Sequence, residues 1–325
     1  MHAYIIRRLL TLIPTLLLVS LLIFFLINLI PGDIIDAMQA ETPDVALDRA
    51  RLERKLGLDK PLIVQYARWV GIARQADGSL SGLLQGDFGI SWWRKMPVLK
   101  LVALSWPVTL QLGLMGLIIS QLIAFPVGIY SALRQDKWGD YIGRSFAILC
   151  ISIPGFWLGT IVIVLPSIWW GYMPPIMLIR FTEDPIGNLK MFIIPAIIVG
   201  MAMAGMLMRL TRTMMLEVLR QDYIRTAWAK GLSERVVTLR HALKNALIPV
   251  ITIIGLQAPI LMGGTVIIEQ IFSLPGMGRL ILSATLHRDE TLIGGIMFIF
   301  AAVLMLINLV VDLTYAYLDP RVHFK

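Results

Sequence analysis

The sequence predicts an all-α, polytopic membrane protein, and two observations carry that prediction. Hydrophobic residues make up 57% of the 325-residue chain and charged residues only 15%, whereas a soluble domain has about half apolar and about a quarter charged residues. The excess of apolar residues is concentrated in continuous stretches of the chain. Residues 9–30 carry no charge, and a helix of that length crosses about 30 Å of hydrocarbon. We therefore expect membrane-spanning helices rather than a large water-facing core.

Apolar runs of sufficient length divide the chain into six predicted spans. The first follows Arg7 and Arg8 and is longer than the apolar core of a secretory signal, so we expect an uncleaved span. A sizeable external segment follows it, which separates an N-terminal part, 1–105, from a five-span core, 106–325. The predicted spans are 9–30, 106–133, 142–168, 191–209, 248–268 and 292–313.

Basic residues in the short loops set the predicted orientation. The loop 210–247 holds seven basic and three acidic residues, whereas the loop 169–190 holds two of each. Because cytoplasmic loops carry the excess of Lys and Arg, both termini are predicted to be cytoplasmic. The net charge of +8 then reflects loops that face anionic membrane lipid. The sequence has no nucleic-acid-binding pattern, and we expect no nucleic acid partner.

Motifs for catalysis and for cofactor binding are missing from the sequence. It contains no GxxxxGK[ST] phosphate-binding loop, no GxSxG and no HExxH. The single cysteine, Cys150, lies in an apolar run, and the four histidines form no metal-ligand spacing. We therefore expect no catalytic residue, no cofactor and no metal in this chain.

Ionisable residues are scarce within the predicted spans. Arg144, Arg209 and Asp312 lie near predicted cytoplasmic ends, where snorkelling to the interface costs little. A secondary transporter needs a buried carboxylate or a comparable ion site, and related repeats with broken helices; we expect neither. A membrane-embedded hydrolase or protease is disfavoured because the spans hold no His/Asp/Ser or metal constellation. The energy source is therefore predicted to lie in another protein.

Small residues recur every four positions in the second predicted span, and the fourth span is rich in methionine. The stripe either lets another helix approach closely or lines a transport path. The methionines, Met203 among them, suit either a surface that tolerates varied cargo or ordinary filling of the core. The stripe consists of Gly116, Ser120, Ala124 and Gly128.

The cytoplasmic stretch 221–250, QDYIRTAWAKGLSERVVTLRHALKNALIPV, is predicted to fold as two helices joined by a glycine turn. Asp222 is expected to cap the first helix and Ser233 the second. Gly231 is expected to end the first helix, since glycine readily adopts the left-handed conformation of a helix stop.

The same stretch is predicted to expose an apolar knob that fits a groove in another protein. The first helix places Ile224, Ala227 and Trp228 on one face. The alternatives are an interfacial helix lying on the bilayer and a simple connector. The second helix is predicted to carry one apolar stripe, formed by Leu232, Val236, Leu239, Leu243 and Ala246.

This stretch resembles the cytoplasmic coupling loop, or EAA loop, of permease subunits in bacterial ATP-binding-cassette importers. Residues 225–227 (RTA) stand at the Ala-rich triplet of that loop and Gly231 at its glycine. Residues 243–244 (LK) stand where a Leu-Pro pair is usual. The glutamate of the triplet and the proline of the pair are therefore missing here.

Five further stretches, in the same order, resemble the dipeptide, oligopeptide and nickel permease family over essentially the whole chain. LGLDKP and GDFG are typical of its B-type subunit rather than of the C-type partner. The five stretches are RRLLTLIPTLLLVSLLIFFLINLIPGD (7–33), GLDKPLIVQYARWV (57–70), GDFGIS (86–91), IFSLPGMGRL (271–280) and VDLTYAYLDPR (311–321).

The resemblance implies a six-span permease of the type I importer fold in a bacterial or archaeal inner membrane. It implies a heterodimer with a C-type permease, two cytoplasmic ATP-binding subunits that hydrolyse ATP, and an extracytoplasmic solute-binding protein. Peptides are the implied cargo, and nickel or another small solute is the alternative. The residues implied to contact an ATP-binding subunit are Arg225, Thr226, Ala227, Trp228, Lys230, Gly231, Leu232 and Ser233.

The external turn 271–280 has two interpretations. It is either a functional loop that meets the binding protein or gates the path, or a re-entrant or packing turn, since Leu-Pro-Gly is turn chemistry in any setting. The residues concerned are Leu274, Pro275, Gly276 and Gly278.

Overall fold

A computed structural model describes residues 2–29, 31–41, 48–75, 77–173, 175, 177–263 and 265–318. The chain is almost entirely helical, at 77%, and no β-strand occurs in these residues, so the all-α prediction is confirmed. The predicted cytoplasmic segment beyond residue 318 and the side chain of Asp312 lie outside the described part.

The helices are numbered in chain order, with a 3₁₀ turn at Leu83–Gln85 and a π-helical turn at Val237–Ala242. The α-helices are α1 His2–Asn28, α2 Ile34–Glu41, α3 Arg49–Leu56, α4 Leu62–Val70, α5 Val98–Leu133, α6 Trp138–Ser152, α7 Gly155–Trp170, α8 Pro185–Leu219, α9 Asp222–Ala229, α10 Glu234–Val236, α11 Leu243–Gly263, α12 Val266–Ile271, α13 Met277–Leu286 and α14 Glu290–Leu318.

Four helices in the described residues, α1, α5, α8 and α14, are long and apolar enough to cross a membrane. Two bent helix pairs raise that number to six if each pair forms one span. Multiple spans are therefore established by length and composition. The count of six and the cytoplasmic position of both termini stay predictions.

The predicted span 142–168 is not one straight helix. α6 ends at Ser152, α7 begins at Gly155, and the two helices are bent by 89°. Pro154 explains the break, because it has no N–H to continue the helical hydrogen bonds. It also holds the preceding residue, Ile153, in an extended conformation at φ −81° and ψ 119°. Two helices thus replace the continuous one that the apolar run suggests.

The chain divides into two compact units, and the first comprises residues 1–107 and 279–306. Aromatic rings pack its helices together. The rings of Phe24 in α1 and Tyr66 in α4 lie 5.4 Å apart, and Trp69 in α4 lies 6.4 Å from Phe298 in α14. The hydroxyl groups of Tyr66 and Ser20 share a hydrogen bond of 2.9 Å, so the polar ends of this cluster are also satisfied.

A buried carboxylate fixes the start of α14 within the first unit. Asp289 is 0% exposed. It accepts hydrogen bonds from the Ser91 hydroxyl at 2.6 Å and from the Trp93 backbone N–H at 3.2 Å. The backbone N–H of Leu292 in the first turn of α14 donates to the other oxygen at 3.2 Å. The carboxylate therefore caps the helix and holds the turn at residues 91–93 beside it.

The second unit comprises residues 108–278 and 307–325, and α8 is its central helix. α8 contacts α6, α7, α11 and α12. Its buried side chains contribute to three hydrophobic clusters along its length, with Phe192 in the first, Leu207 in the second and Met215 in the third. One 35-residue helix therefore contributes to all three hydrophobic clusters of the unit.

Glycines bring α5 and α8 into close contact. A Cβ atom at Gly200 would lie 2.8 Å from the Gly116 carbonyl oxygen, and one at Gly128 would lie 2.9 Å from the Met208 carbonyl oxygen. Real Cβ atoms do not approach that closely, so glycine is needed at Gly200 of α8 and at Gly128 of the small-residue stripe for the packing of α5 on α8.

The other small residues of the stripe are buried in the same unit. Ser120 and Ala124 are 0% exposed, and Met203 of α8 is 4% exposed. The Ser120 hydroxyl donates to the Leu117 carbonyl oxygen at 2.7 Å, and Ala124 belongs to the second hydrophobic cluster. In this structure these three side chains fill the interior of the unit.

We expect Gly200→Leu to destabilise the protein, because the new side chain would be forced against the Gly116 carbonyl oxygen. Overpacking of this kind costs about 1–3 kcal/mol, and thermal unfolding of the purified protein in one detergent should show a lower midpoint. Ala202→Leu is the matched control, since Ala202 is exposed on the same helix. Equal midpoints for the two variants would contradict the close contact.

Candidate coupling site

The stretch 220–247, hereafter the 220–247 loop, folds as a helix, a glycine turn and a second helical segment. α9 ends at Ala229, where the Lys230 N–H donates to the Thr226 carbonyl oxygen at 3.1 Å. Gly231 follows at φ +77°, a left-handed conformation that glycine adopts without strain. α10, the π turn and α11 then continue the chain, so the predicted order of helix, glycine turn and second helix is present, with an unpredicted π turn in the second helix.

The helix caps differ from the predicted ones. Gln221, not Asp222, occupies the cap position of α9, and Asp222 is the first residue inside that helix. Asp222 forms an exposed ion pair with Arg225 at 3.5 Å. Ser233 does occupy the cap position of α10, but its side chain makes no capping hydrogen bond. The hydroxyl and carboxylate at these two sites therefore do not stabilise the helices in the predicted way.

Two of the five predicted positions of the apolar stripe in the second helix, Val236 and Leu239, face outward. Val237 and Ala242 are fully buried, whereas Val236 is 37% exposed and Leu239 is 49% exposed. The π turn at Val237–Ala242 is the reason, because its wider turn adds a residue to the helical repeat. Leu232 and Leu243 are half-buried and Ala246 is buried, so those three stripe positions do face the core.

The inner face of the loop belongs to the hydrophobic core of the second unit. Ile224 is 0% exposed and Ala227 is 6% exposed. Both lie in one cluster with Met215 of α8 and Ala132 of α5. The Asn245 amide at the start of α11 donates to the Tyr223 hydroxyl at 2.8 Å. The loop is therefore fastened to the ends of two long helices.

The outer face of the loop is open. Trp228 is 45% exposed and the Arg225 side chain is 80% exposed. Lys230 and Ser233 are exposed as well. A Cβ atom at Gly231 would meet nothing within 4 Å, so only its backbone conformation, and no packing within the chain, explains a glycine there. The structure thus presents an aromatic ring and two cations around an unobstructed turn.

The eight predicted contact residues are divided between the inner and the outer face of the loop. Ala227 faces the core, Leu232 is half-buried, and the Thr226 hydroxyl donates to the Asp222 carbonyl oxygen at 3.1 Å. The residues that lie open to another protein are Arg225, Thr226, Trp228, Lys230, Gly231 and Ser233.

A buried ion pair lies beside the attachment of the loop. Asp140 of α6 is 0% exposed, and Arg212 of α8 donates to both its oxygens, at 2.7 and 2.6 Å. The Ser131 hydroxyl of α5 donates to the same carboxylate, and the Asp136 backbone N–H does so at 3.0 Å. One carboxylate thereby joins α5, α6 and α8 near their loop ends.

The turn 271–280 is wrapped around a second buried carboxylate. Glu269 is 0% exposed and accepts hydrogen bonds from the Thr109 and Thr265 hydroxyl groups, at 2.7 and 3.1 Å. A Cβ atom at Gly276 would lie 2.4 Å from this carboxylate, so glycine is required there. The Met277 N–H donates to the Thr109 hydroxyl at 2.7 Å.

Most of the predicted contact residues in that turn are inaccessible. Leu274, Gly276 and Gly278 are buried, and Pro275 is exposed. The structure therefore gives three of the four residues a packing role within the second unit.

In the described part of the chain, three carboxylates are buried, and all three lie outside the predicted spans, in the segments between them. Asp140, Glu269 and Asp289 are each 0% exposed, and each is held by hydrogen bonds at or beside a helix end. Glu269 and Asp289 were assigned to an external loop by the hydropathy pattern, which does not detect packing within a turn. Among the described residues, no three His, Cys, Asp or Glu side chains group as a metal site, and Cys150 is buried.

Models of one family match almost the whole chain. The model for the binding-protein-dependent transport system inner membrane component matches residues 124–324. The model for the N-terminal part of such a membrane component matches residues 1–113. The 220–247 loop lies within the first match.

Named relatives match over their full length. A protein of Brucella suis biovar 1 is 39% identical over 100% of both chains. It has the provisional name of a peptide transport system permease protein. The glutathione transport system permease protein GsiC of Salmonella paratyphi A is 37% identical over 99% of both chains. A solved amino acid ABC transporter covers 69% of this chain and 94% of its own at 14% identity and a TM-score of 0.48, and no conclusion depends on that likeness. The chain therefore belongs to the binding-protein-dependent transport system inner membrane components, as a permease subunit of the peptide and oligopeptide ATP-binding-cassette importer family.

Proposed function

We propose that this chain carries peptides inward as one half of a heterodimeric path and that its 220–247 loop docks on an ATP-binding subunit. The observation that carries the proposal is the two-sided construction of the loop. Ile224 is buried in one cluster with Met215 and Ala132, while Trp228 and the Gly231 turn are exposed. A force applied by a partner to the exposed face of such a segment can be transmitted through its buried face to α8 and α5.

The packing of the loop makes that transmission possible. Met215 lies near the end of α8, a helix of 35 residues that is about 52 Å long at 1.5 Å per residue. Because close-packed interiors transmit strain, a displacement of the loop is passed to α8. α5 moves with α8, since Gly116 and Gly200 leave no space between them.

The partners follow from the family. Binding-protein-dependent importers need a solute-binding protein, and membrane and ATP-hydrolysing subunits besides this one. We propose that the second membrane subunit is a C-type permease and that two cytoplasmic subunits perform all ATP hydrolysis. The basic 220–247 loop then lies in the cytoplasm with both termini, consistent with the rule that Lys and Arg favour that side.

Peptides are the proposed cargo because two full-length relatives have names that refer to peptide and to glutathione transport. A secondary transporter is the weaker alternative despite the three buried carboxylates. Asp140 is paired with Arg212, and Glu269 and Asp289 are hydrogen-bonded to hydroxyl groups. These contacts are sufficient to explain each carboxylate as a structural group.

We expect Gly231→Val to separate ATP hydrolysis from transport. At φ +77° a non-glycine residue is strained by about 1–2 kcal/mol, and a β-branched side chain by more. The turn should then distort, and peptide uptake per ATP hydrolysed should fall by about tenfold or more in proteoliposomes that contain the complete importer and its binding protein.

Gly231→Asn is the matched control for that experiment. Asn tolerates the left-handed conformation, and a Cβ atom at this position meets nothing within 4 Å. It should retain coupling to within a few-fold of the wild-type importer. Normal coupling in Gly231→Val would contradict the proposed role of the turn.

We expect the reconstituted importer to take up a labelled di- or tripeptide in an ATP-dependent manner. Unlabelled peptides should compete with it, because the recognised groups are shared, and Ni²⁺ without peptide should not. Uptake is measured with the binding protein that purifies with the complex. Uptake of Ni²⁺ and no peptide would overturn the proposed cargo while leaving the coupling role of the loop intact.

A further inference from the structure

The exposed surface of the 220–247 loop is strongly cationic. Six basic and two acidic residues of the loop are exposed. Arg225 forms a 3.5 Å ion pair with Asp222, and the two side chains are 80% and 96% exposed, so water screens the contact and it stabilises little. Most of the positive charge is therefore left without a counter-charge in the part of the chain that the structure describes. The exposed cations that form no ion pair with any described residue are Arg220, Lys230, Arg235, Arg240 and Lys244.

Apolar side chains are exposed between these cations. Trp228 is 45% exposed, and Val236 and Leu239 are 37% and 49% exposed. Along the chain, Trp228 stands between Arg225 and Lys230. Tryptophan and arginine are enriched among the residues that carry the binding energy of protein interfaces. The surface therefore has the composition of a protein contact, with apolar area inside a charged border.

The backbone that carries these side chains is held in place by the rest of the unit. α9 packs against the π turn, and Ile224 of α9 is fully buried. The Asn245 amide donates to the Tyr223 hydroxyl at 2.8 Å. A guanidinium on a fixed backbone can meet a carboxylate through two parallel hydrogen bonds. The loop can thus form ion pairs at defined positions, beyond a diffuse attraction to negative charge.

A protein groove fits this surface better than an anionic membrane does. Asp222 and Glu234 are exposed within the loop, and anionic lipid headgroups would repel them. A groove can place an opposite charge beside each basic and each acidic residue, whereas anionic headgroups present one sign of charge. The mixture of charges and exposed apolar side chains therefore favours a protein partner.

We propose that the loop docks in an apolar groove of the ATP-binding subunit whose rim carries carboxylates, with Trp228 in the groove and Arg225 paired with one of those carboxylates. This chemistry rests on the proposed docking of the loop on that subunit and adds the character of the partner surface. Like charges that face each other across an interface cost several kcal/mol, so a subunit with a basic rim would be rejected.

The affinity is measured between the complete permease pair, in phosphatidylcholine nanodiscs, and its purified ATP-binding subunits. We expect Arg225→Glu to weaken binding by about tenfold or more, because a repulsion replaces an attraction. An increase from about 50 mM to about 500 mM KCl should weaken the wild-type complex more than the variant, since salt screens the attraction. Arg225→Lys keeps the charge and should bind within a few-fold of the wild-type chain. The thermal midpoint of Arg225→Glu should be unchanged, because the side chain is 80% exposed.

Arg134→Glu is the matched control. It reverses the same charge at an exposed position between α5 and α6, outside the loop, and should leave the affinity unchanged. Equal weakening by the two variants would show a general effect of surface charge and overturn the inference, as would a wild-type affinity that does not depend on salt.

Two further outcomes separate the partner surface from the docking itself. If a crosslinker at position 228 reaches the ATP-binding subunit while Arg225→Glu binds normally, the docking stands and the carboxylate rim is wrong. If position 228 crosslinks only to lipid, and phosphatidylglycerol in the nanodiscs increases those crosslinks, the surface is a membrane contact and both proposals fail.

Discussion

Burial of one isoleucine joins the 220–247 loop to the long helices of this permease. Ile224 sits on the 220–247 loop, yet it is part of the same core as Met215 of α8 and Ala132 of α5. Full burial of such a side chain contributes about 1.5–3 kcal/mol, and Ala227 and Val237 add to the contact. The loop is therefore an extension of the helix bundle. This packing supports the proposal that a partner that moves the loop also moves α8.

The polar interactions beside that contact also hold together the helices to which the loop is attached. Burying a carboxylate is unfavourable unless its oxygens are satisfied, and a buried ion pair gains only with good geometry. Asp140 meets that condition through Arg212, Ser131 and the Asp136 backbone N–H. Asp136 itself adopts φ +58° to present its N–H, which aspartate tolerates better than most residues. Three helix ends are thereby held together where the loop is attached.

The predictable features were those set by neighbours along the chain. A glycine between two helical patterns predicted the turn at Gly231, and small residues at a four-residue spacing marked the α5 stripe. The features that could not be predicted depend on distant partners. Asp140 meets Arg212 across 72 residues, and Glu269 meets Thr109 across 160 residues. The π turn at Val237–Ala242 changes the helical period itself, so a stripe drawn on a regular helix wrongly places Val236 and Leu239 in the core.

The central claim is that the exposed face of the 220–247 loop is held by an ATP-binding subunit. The most direct measurement is photo-crosslinking from a reactive amino acid placed at Trp228 in the assembled importer, with the same probe at the exposed Tyr130 for comparison. The mechanism predicts a crosslink from position 228 to the ATP-binding subunit, with and without nucleotide, and none to that subunit from position 130. Crosslinks from position 228 to lipid alone, in every nucleotide state, would contradict it.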